Sequence, residues 1–399
     1  MENYKFRFLI LFTVVAVLSS ILRFGQREND NLSTLSDSDC YIDMAMVFSG
    51  EKEAFNPDWI RGLPHHYNRP FFPFVAGLIG HYLLGDDFKS AFSVINIIAA
   101  IVIAYILLIF LLKYYPDIRH PWIPSVLFLT AFSQMDFGYH ILTETIGLAF
   151  ALSACYFLYE FILRNEVNEN KINNPGFHIT DFYPGLIFLM VLQVLSFLTR
   201  ETAWFVFIFF FYIILKRKLY KSGNLRLVLS VLIVLLLAMV PQSLYAMSFD
   251  THIPGFGLDF SALFAPDYIL DSVIKMALAF NIYWLLMIPA LVYLGKKKLN
   301  GIHEFIIGWT LAAIGYMGAG YLHNSLMPNG YPLRMLFSMF PVIYILVVQY
   351  IEKRYLYPKH LYILITLIII HSMISVAGVL ADSGSVIVHT IYDAFRVIV

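Results

Sequence analysis

The stretch "KSAFSVINIIAAIVIAYILLIFLL", residues 89 to 112, decides the fold class of this chain. An α-helix needs about 20 mostly apolar residues to cross a hydrocarbon core roughly 30 Å thick, and this stretch contains no charge after Lys89. Other runs reach or approach that length, and 59% of the 399 residues are hydrophobic. Because lipid offers no partners to backbone N–H and C=O groups, and no alternating barrel pattern is present, the spans must be helices. The sequence predicts an all-α polytopic membrane protein.

The apolar pattern predicts about eleven transmembrane helices. They cover about residues 8–22, 89–112, 122–136, 141–163, 183–199, 202–216, 226–246, 271–295, 303–321, 333–351 and 360–380. Tight hairpins are expected at 136–141 and 199–202. The first run follows Lys5 and Arg7 and also fits a signal peptide, which is the alternative to a signal-anchor helix.

Two shorter segments are predicted to lie in the membrane interface. Phe71 to Leu84 is apolar but too short to span comfortably, which favours a helix in the headgroup plane. The tail, residues 387–398, is amphipathic in a helical register. We expect residues 1–399 to form a single integral membrane domain without a separate soluble domain.

The distribution of lysine and arginine predicts the orientation in the membrane. With the N-terminus in the cytoplasm, 17 of the 27 basic residues lie inside, whereas 19 of the 27 acidic residues lie outside. The long loop of residues 23–88 then faces away from the cytoplasm, and so does the C-terminus. This loop would contribute the mouth of any outward-facing site.

Ionisable residues gather at the outer ends of the predicted spans, where a membrane-embedded charge costs about 2.5 to 3.5 kcal/mol. We expect these residues to line one outward-facing cavity. The candidates are Asp37, Asp39, Tyr41, Asp43, His65, His66, Arg69, Asp136, His140, Glu144, Arg200, Glu201, His323 and Arg334.

Plainer roles compete with function at these positions. The three aspartates suit a solvated surface or helix caps. Arg334 follows a turn signal and could snorkel to the interface. Arg200 and Glu201 could cap a hairpin. His65 and His66 are sequence neighbours without metal-ligand spacing, so no metal site is predicted, and the sequence leaves a divalent-cation requirement open.

Five short motifs resemble those of the GT-C superfamily of membrane glycosyltransferases. "DSDCY", Asp37 to Tyr41, resembles the acidic motif of the first outer loop, and "YNRPFFP", Tyr67 to Pro73, resembles the start of the interfacial helix. "LTE", ending at Glu144, is similar to the acidic site of the second outer loop. The two later motifs are "LTRE", ending at Glu201, and "RMLFSMFP", beginning at Arg334.

The resemblance implies a GT-C-like fold and a cell-envelope enzyme that transfers a hexosyl or pentosyl group, with inversion, from a polyprenyl-phosphate carrier. The acceptor could be a lipid, a glycan or a protein. Ser38 replaces the glutamate of the family motif, so either Asp37 or Asp39 could be the family aspartate. The apparent lack of a large C-terminal soluble domain favours the users of lipid-linked monosaccharides. The compact chain favours a bacterial plasma membrane.

The candidate residues themselves suit this chemistry. A carboxylate of Asp37 or Asp39 can take the proton of an acceptor hydroxyl, and the arginine fork fits phosphate oxygens. A secondary transporter is the alternative, because transporters also place carboxylates and arginines at broken helices. A non-catalytic membrane scaffold would not need the charges. The zero formal net charge gives no indication of nucleic-acid binding, and Cys40 and Cys155 suggest no disulfide framework.

Overall fold

The structure is a computed structural model, and no strand occurs in the part of the chain that it describes. The described residues are 2–27, 36–57, 67–115, 118–135, 139, 143–165, 179–221, 224–247, 280–295, 301–323 and 337–380. Their principal helices, in chain order, are α1 (Glu2–Arg27), α2 (Ser36–Ser49), α3 (Phe71–Leu84), α4 (Phe88–Tyr114), α5 (Ile123–Leu129), α6 (Glu144–Asn165), α7 (Ile179–Phe197), α8 (Trp204–Arg217), α9 (Leu225–Leu237), α10 (Val240–Met247), α11 (Ile282–Gly295), α12 (Gly301–His323), α13 (Phe340–Arg354) and α14 (Lys359–Leu380).

The helices confirm the predicted all-α polytopic class, since the described part of each predicted span is mostly helical. By length and composition, four described segments can cross a membrane: Phe88–Tyr114, Glu144–Asn165, Leu225–Met247 and Lys359–Ala377. The others are shorter apolar helices. The hairpin expected at 199–202 is the turn between α7 and α8, whereas most of the one expected at 136–141 lies outside the described residues.

Two predicted spans are interrupted. The span expected at 122–136 contains α5, which ends at Leu129, where the Thr130 hydroxyl donates to the Val126 carbonyl at 3.0 Å. The span expected at 226–246 is divided into α9 and α10. Pro241 is the cause here, because it has no N–H to donate and its ring clashes with the carbonyl four residues before it.

Helix α3 has the same bounds as the predicted interfacial helix, Phe71–Leu84. It crosses α2 so closely that a Cβ on Gly77 would lie 2.5 Å from the Ala45 carbonyl oxygen. Helix α3 ends at Gly85 in the left-handed conformation, and α4 begins at once with its N-cap Asp87 accepting from the Ser90 N–H at 3.0 Å. Helices α2 and α3 therefore form a compact layer against the start of α4.

Partly exposed ion pairs join the helices at the other end of α4. Lys113 pairs with Glu160 of α6, and the Arg217 guanidinium lies 2.7 Å from the Glu304 carboxylate. Glu144, which starts α6, precedes Glu160 by sixteen residues, or about 24 Å of helix. The described bundle thus has a polar cluster at each end.

Candidate functional site

The acidic helix α2 presents Asp39 and Asp43 on one face, since they are four residues apart. Asp43 is almost completely buried, and both of its carboxylate oxygens have partners. Oδ1 pairs with the Lys52 ammonium. Oδ2 accepts from the Asn56 backbone N–H at 3.0 Å and from the Tyr67 hydroxyl at 2.9 Å. Asp43 therefore fastens the segments on both sides of residues 58–66 to α2.

The environment of Tyr67 indicates which member of the hydrogen-bonded pair, Tyr67 or Asp43, is negatively charged. Its ring is completely buried, and burial, followed by the hydrogen bond to Asp43 and the charge of that carboxylate, raises the pKa of the phenol well above its usual range. Tyr67 therefore stays a neutral donor. Asp43 is the charged member of the pair. Because both of its carboxylate oxygens already have partners, Asp43 is better suited to positioning neighbouring segments than to accepting a proton.

Asp39 differs from Asp43 because it is only half-buried. Burial raises the pKa of its carboxyl group, and the charge of Lys89 partly opposes the shift. A carboxylate with a raised pKa is a stronger base, which is the property that proton abstraction requires. Asp37 lies in the first turn of α2, one turn before Tyr41, and its side chain is outside the described residues.

Arg69 is held beside α2 by Tyr41. Its guanidinium NH1 donates to the Tyr41 hydroxyl at 3.2 Å, and both side chains are buried. The chain then enters α3, where the Phe71 backbone N–H donates to the Leu198 carbonyl at 3.1 Å. This bond joins the segment of Arg69 to the turn that precedes Arg200.

Arg200 is the centre of a second buried polar group. Its NH1 lies 3.0 Å from Glu144 Oε1 and donates to the Thr143 hydroxyl at 2.7 Å, while its Nε donates to the Tyr316 hydroxyl at 3.1 Å. Both charged side chains are only 4% exposed. The close packing depends on Gly147, where a Cβ would lie 2.9 Å from Arg200 Cβ. Arg200 and Glu144 therefore neutralise each other inside the bundle.

The part of the chain that the structure describes contains seven predicted site residues, which fall into two groups: one on and beside α2, and the Glu144–Arg200 pair. These are Asp37, Asp39, Tyr41, Asp43, Arg69, Glu144 and Arg200, of which Asp37 is placed by its backbone alone. Glu201 follows in a 3-10 turn and His323 ends α12, but their side chains are outside the description. Five predicted residues and the predicted amphipathic tail lie wholly outside the described part of the chain: His65, His66, Asp136, His140, Arg334 and residues 387–398.

Sequence reasoning missed the residues that hold the charged groups. Lys52 and Tyr316 are common residue types, and nothing in their local sequence marks them as partners of an aspartate or an arginine. Thr143 was quoted only as the middle residue of the motif "LTE". Tyr67 was quoted only as part of a motif. Its position before the Arg69–Pro70 pair was the available signal, because that motif leads into α3.

Among the described side chains, one group of three possible ligands has its ligand atoms close enough together to share a metal ion. His81 Nδ1 lies 2.8 Å from Asp86 Oδ1 and 3.1 Å from Glu51 Oε1, and the ligand atoms of all three residues are within 4.8 Å of one another. The group is partly to fully exposed, and none of its members was predicted. As it stands, it is a histidine in contact with two carboxylates.

No protein-family model and no curated protein matches this sequence. Solved structures share its fold, and two of them are membrane proteins that bind polyprenyl phosphates. The archaeal oligosaccharyltransferase AglB from Archaeoglobus fulgidus, solved with an inhibitory peptide and a dolichol-phosphate, superposes with a TM-score of 0.60 at 10% identity, over 95% of this chain and 56% of that one. ArnT from Cupriavidus metallidurans, solved with undecaprenyl phosphate, superposes with a TM-score of 0.58 at 12% identity, over 96% of this chain and 65% of that one. The chain therefore spans less than two thirds of either protein, and the GT-C-like fold is confirmed.

Proposed function

We propose that this protein transfers a sugar from a polyprenyl-phosphate carrier to an acceptor on the extracytoplasmic side of the membrane. The observation that supports the proposal most strongly is the position of Asp39 and Arg69. A half-buried carboxylate with a raised pKa and a buried guanidinium lie on neighbouring segments at one end of the bundle. Two structures of the same fold were solved with polyprenyl phosphates.

The proposed reaction is a single displacement. The acceptor hydroxyl oxygen attacks the anomeric carbon, the bond from that carbon to the phosphate oxygen breaks, and polyprenyl phosphate leaves with the electron pair. Asp37 or Asp39 takes the hydroxyl proton, which is general-base catalysis. Attack opposite the leaving group inverts the anomeric centre.

Cationic side chains stabilise the leaving phosphate in this scheme. Arg69 and Arg334 are the candidates, since a guanidinium can donate two parallel hydrogen bonds to phosphate oxygens. Arg200 has a different role, because its guanidinium already contacts Glu144, Thr143 and Tyr316. We propose that Arg200 holds the turn before α8 against α6. Tyr41 keeps Arg69 in place, and Asp43 orders the loop beside it.

The remaining predicted residues, His65, His66 and Glu201, are proposed to contact the sugar or the acceptor. Their position in the sequence supports this role, because they adjoin Tyr67 and Arg200. The membrane lipid itself is a partner, since it delivers the carrier. A hexose or pentose donor and a bacterial plasma membrane remain parts of the proposal.

A reconstitution experiment tests the function. The purified full chain in proteoliposomes would receive a panel of polyprenyl-phosphate hexoses and pentoses together with extracted envelope lipids and glycans, and release of free polyprenyl phosphate would be measured. We expect release with at least one donor and its loss when Asp37 and Asp39 are both changed to Asn. Uptake of a free solute by the same vesicles, without carrier turnover, would favour the secondary transporter.

A further inference from the structure

A buried histidine with unsatisfied nitrogens begins α14. His360 is completely buried, and neither Nδ1 nor Nε2 has a hydrogen-bond partner among the described residues. A neutral imidazole carries one N–H donor and one lone pair. A buried polar group that has no hydrogen-bond partner is energetically unfavourable. The surroundings of His360 therefore favour a ligand that binds imidazole nitrogen.

A second histidine lies against the first. The ring centres of His120 and His360 are 5.6 Å apart, and His120 Nε2 is also buried without a hydrogen-bond partner in the described structure. The loop that carries His120 is fixed to α13, because the backbone N–H groups of Arg119 and His120 each donate to the Glu352 carboxylate at 2.9 Å. Three separate segments thus bring the two imidazoles together and fix the Glu352 carboxylate to the backbone beside His120.

We propose that His120 and His360 bind a divalent transition-metal ion such as Zn²⁺, with Glu352 supplying negative charge beside it. Zinc–nitrogen bonds of about 2.0–2.1 Å place two imidazole centres on one tetrahedral ion about 5 Å apart, close to the observed separation. Imidazole nitrogen and carboxylate oxygen are both ordinary zinc ligands. Water would complete the coordination of a site with two histidines.

The rings of Trp122 and Tyr357 flank the pair of histidines and limit its exposure to water. A bound ion would fasten the loop before α5 to the junction of α13 and α14.

This site is separate from the proposed transfer site. His120 follows the C-terminal end of α4, whereas the acidic layer of α2 and α3 packs at its start. A helix of 27 residues places the two about 40 Å apart. Metal binding here is therefore independent of the proposed function. The experiment on metal binding and the experiment on sugar transfer can each fail without affecting the other.

The test uses the purified full chain in detergent after treatment with a chelator. Zn²⁺ binding would be followed by calorimetry, and Co²⁺ binding by the visible absorption of tetrahedral cobalt. We expect one ion per chain, and a loss of affinity of at least about tenfold in both His120→Gln and His360→Gln. His81→Gln is the matched control, because His81 belongs to the exposed group with Glu51 and Asp86. It should bind like the wild type.

Three results would overturn the proposal. They are the absence of Zn²⁺ binding by the wild type, unchanged binding in both variants, and loss of binding in His81→Gln alone. If His360→Gln does not yield monodisperse protein, His120→Gln decides the question, since His120 lies in a loop and is only partly buried.

Discussion

Glu144 and Arg200 form an ion pair of 3.0 Å although they stand at the ends of different helices, and Gly147 leaves the space that the arginine occupies. Two buried charges are expensive to desolvate, so the pair adds little net stability while it is intact. Removing one partner has a much larger effect, because the other charge stays buried without compensation.

Glu144→Gln should therefore destabilise the protein by roughly 3–5 kcal/mol. The double variant Glu144→Gln with Arg200→Gln should recover part of that loss, because no single charge is left behind. Unfolding of the detergent-solubilised protein measures both values. Glu53→Gln, at an exposed position, is the control and should have no effect. A single variant as stable as the wild type would show that the pair does not neutralise a buried charge.

Asp39→Asn and Asp43→Asn should change stability in opposite directions at pH 7. The folded-state pKa of Asp39 is raised, so this group stabilises the fold below its unfolded pKa and loses that contribution as the pH rises through the folded value. Asn at position 39 should thus increase stability at neutral pH, and the gain should vanish below about pH 4.

Asp43→Asn removes the charge that Lys52 and Tyr67 face, so it should destabilise the protein at neutral pH. Thermal unfolding from pH 4 to pH 8 measures both variants. Destabilisation by Asp39→Asn at pH 7 would contradict the assigned environment of that carboxylate.

The sequence could predict more of helix α3 than of the contacts within the site. The length of the apolar run and the proline and aspartates that flank it were enough to predict the bounds of α3, because these are local signals. The contact of Lys52 with Asp43 depends on how a loop folds back on α2, and that of Arg200 with Tyr316 on how α12 packs against α8. Such contacts are set by packing between distant segments, which no local pattern encodes.

Arginine-to-lysine substitutions should separate phosphate binding from structure. Arg69→Lys and Arg334→Lys keep the charge but lose the two-pronged donor, so the apparent KM for the lipid-linked donor should rise while the protein stays folded. Arg200→Lys should instead lower stability, because the Arg200 guanidinium contacts Glu144, Thr143 and Tyr316. Donor titrations and unfolding curves of the three variants provide the comparison. Unchanged donor dependence in both Arg69→Lys and Arg334→Lys would remove the phosphate role.

Cysteine labelling should establish the orientation in the membrane. Cys40 and Cys155 are buried, so the native background should be low. Glu53→Cys, in the long loop after α2, should react with an impermeant maleimide in intact cells, whereas Lys221→Cys, after α8, should react only in lysed cells. Both positions are exposed. The reverse pattern would place the proposed site on the cytoplasmic side.

Sugar transfer by Asp37→Asn and Asp39→Asn tests the central claim most directly. Asparagine keeps the shape of aspartate and removes its basicity, so loss of a general base lowers turnover by about 10²–10⁴-fold. With the donor that the wild type uses, we predict that one of the two variants falls by this amount while remaining folded and able to bind the carrier. Near-normal turnover in both would contradict glycosyl transfer by an aspartate at the start of α2.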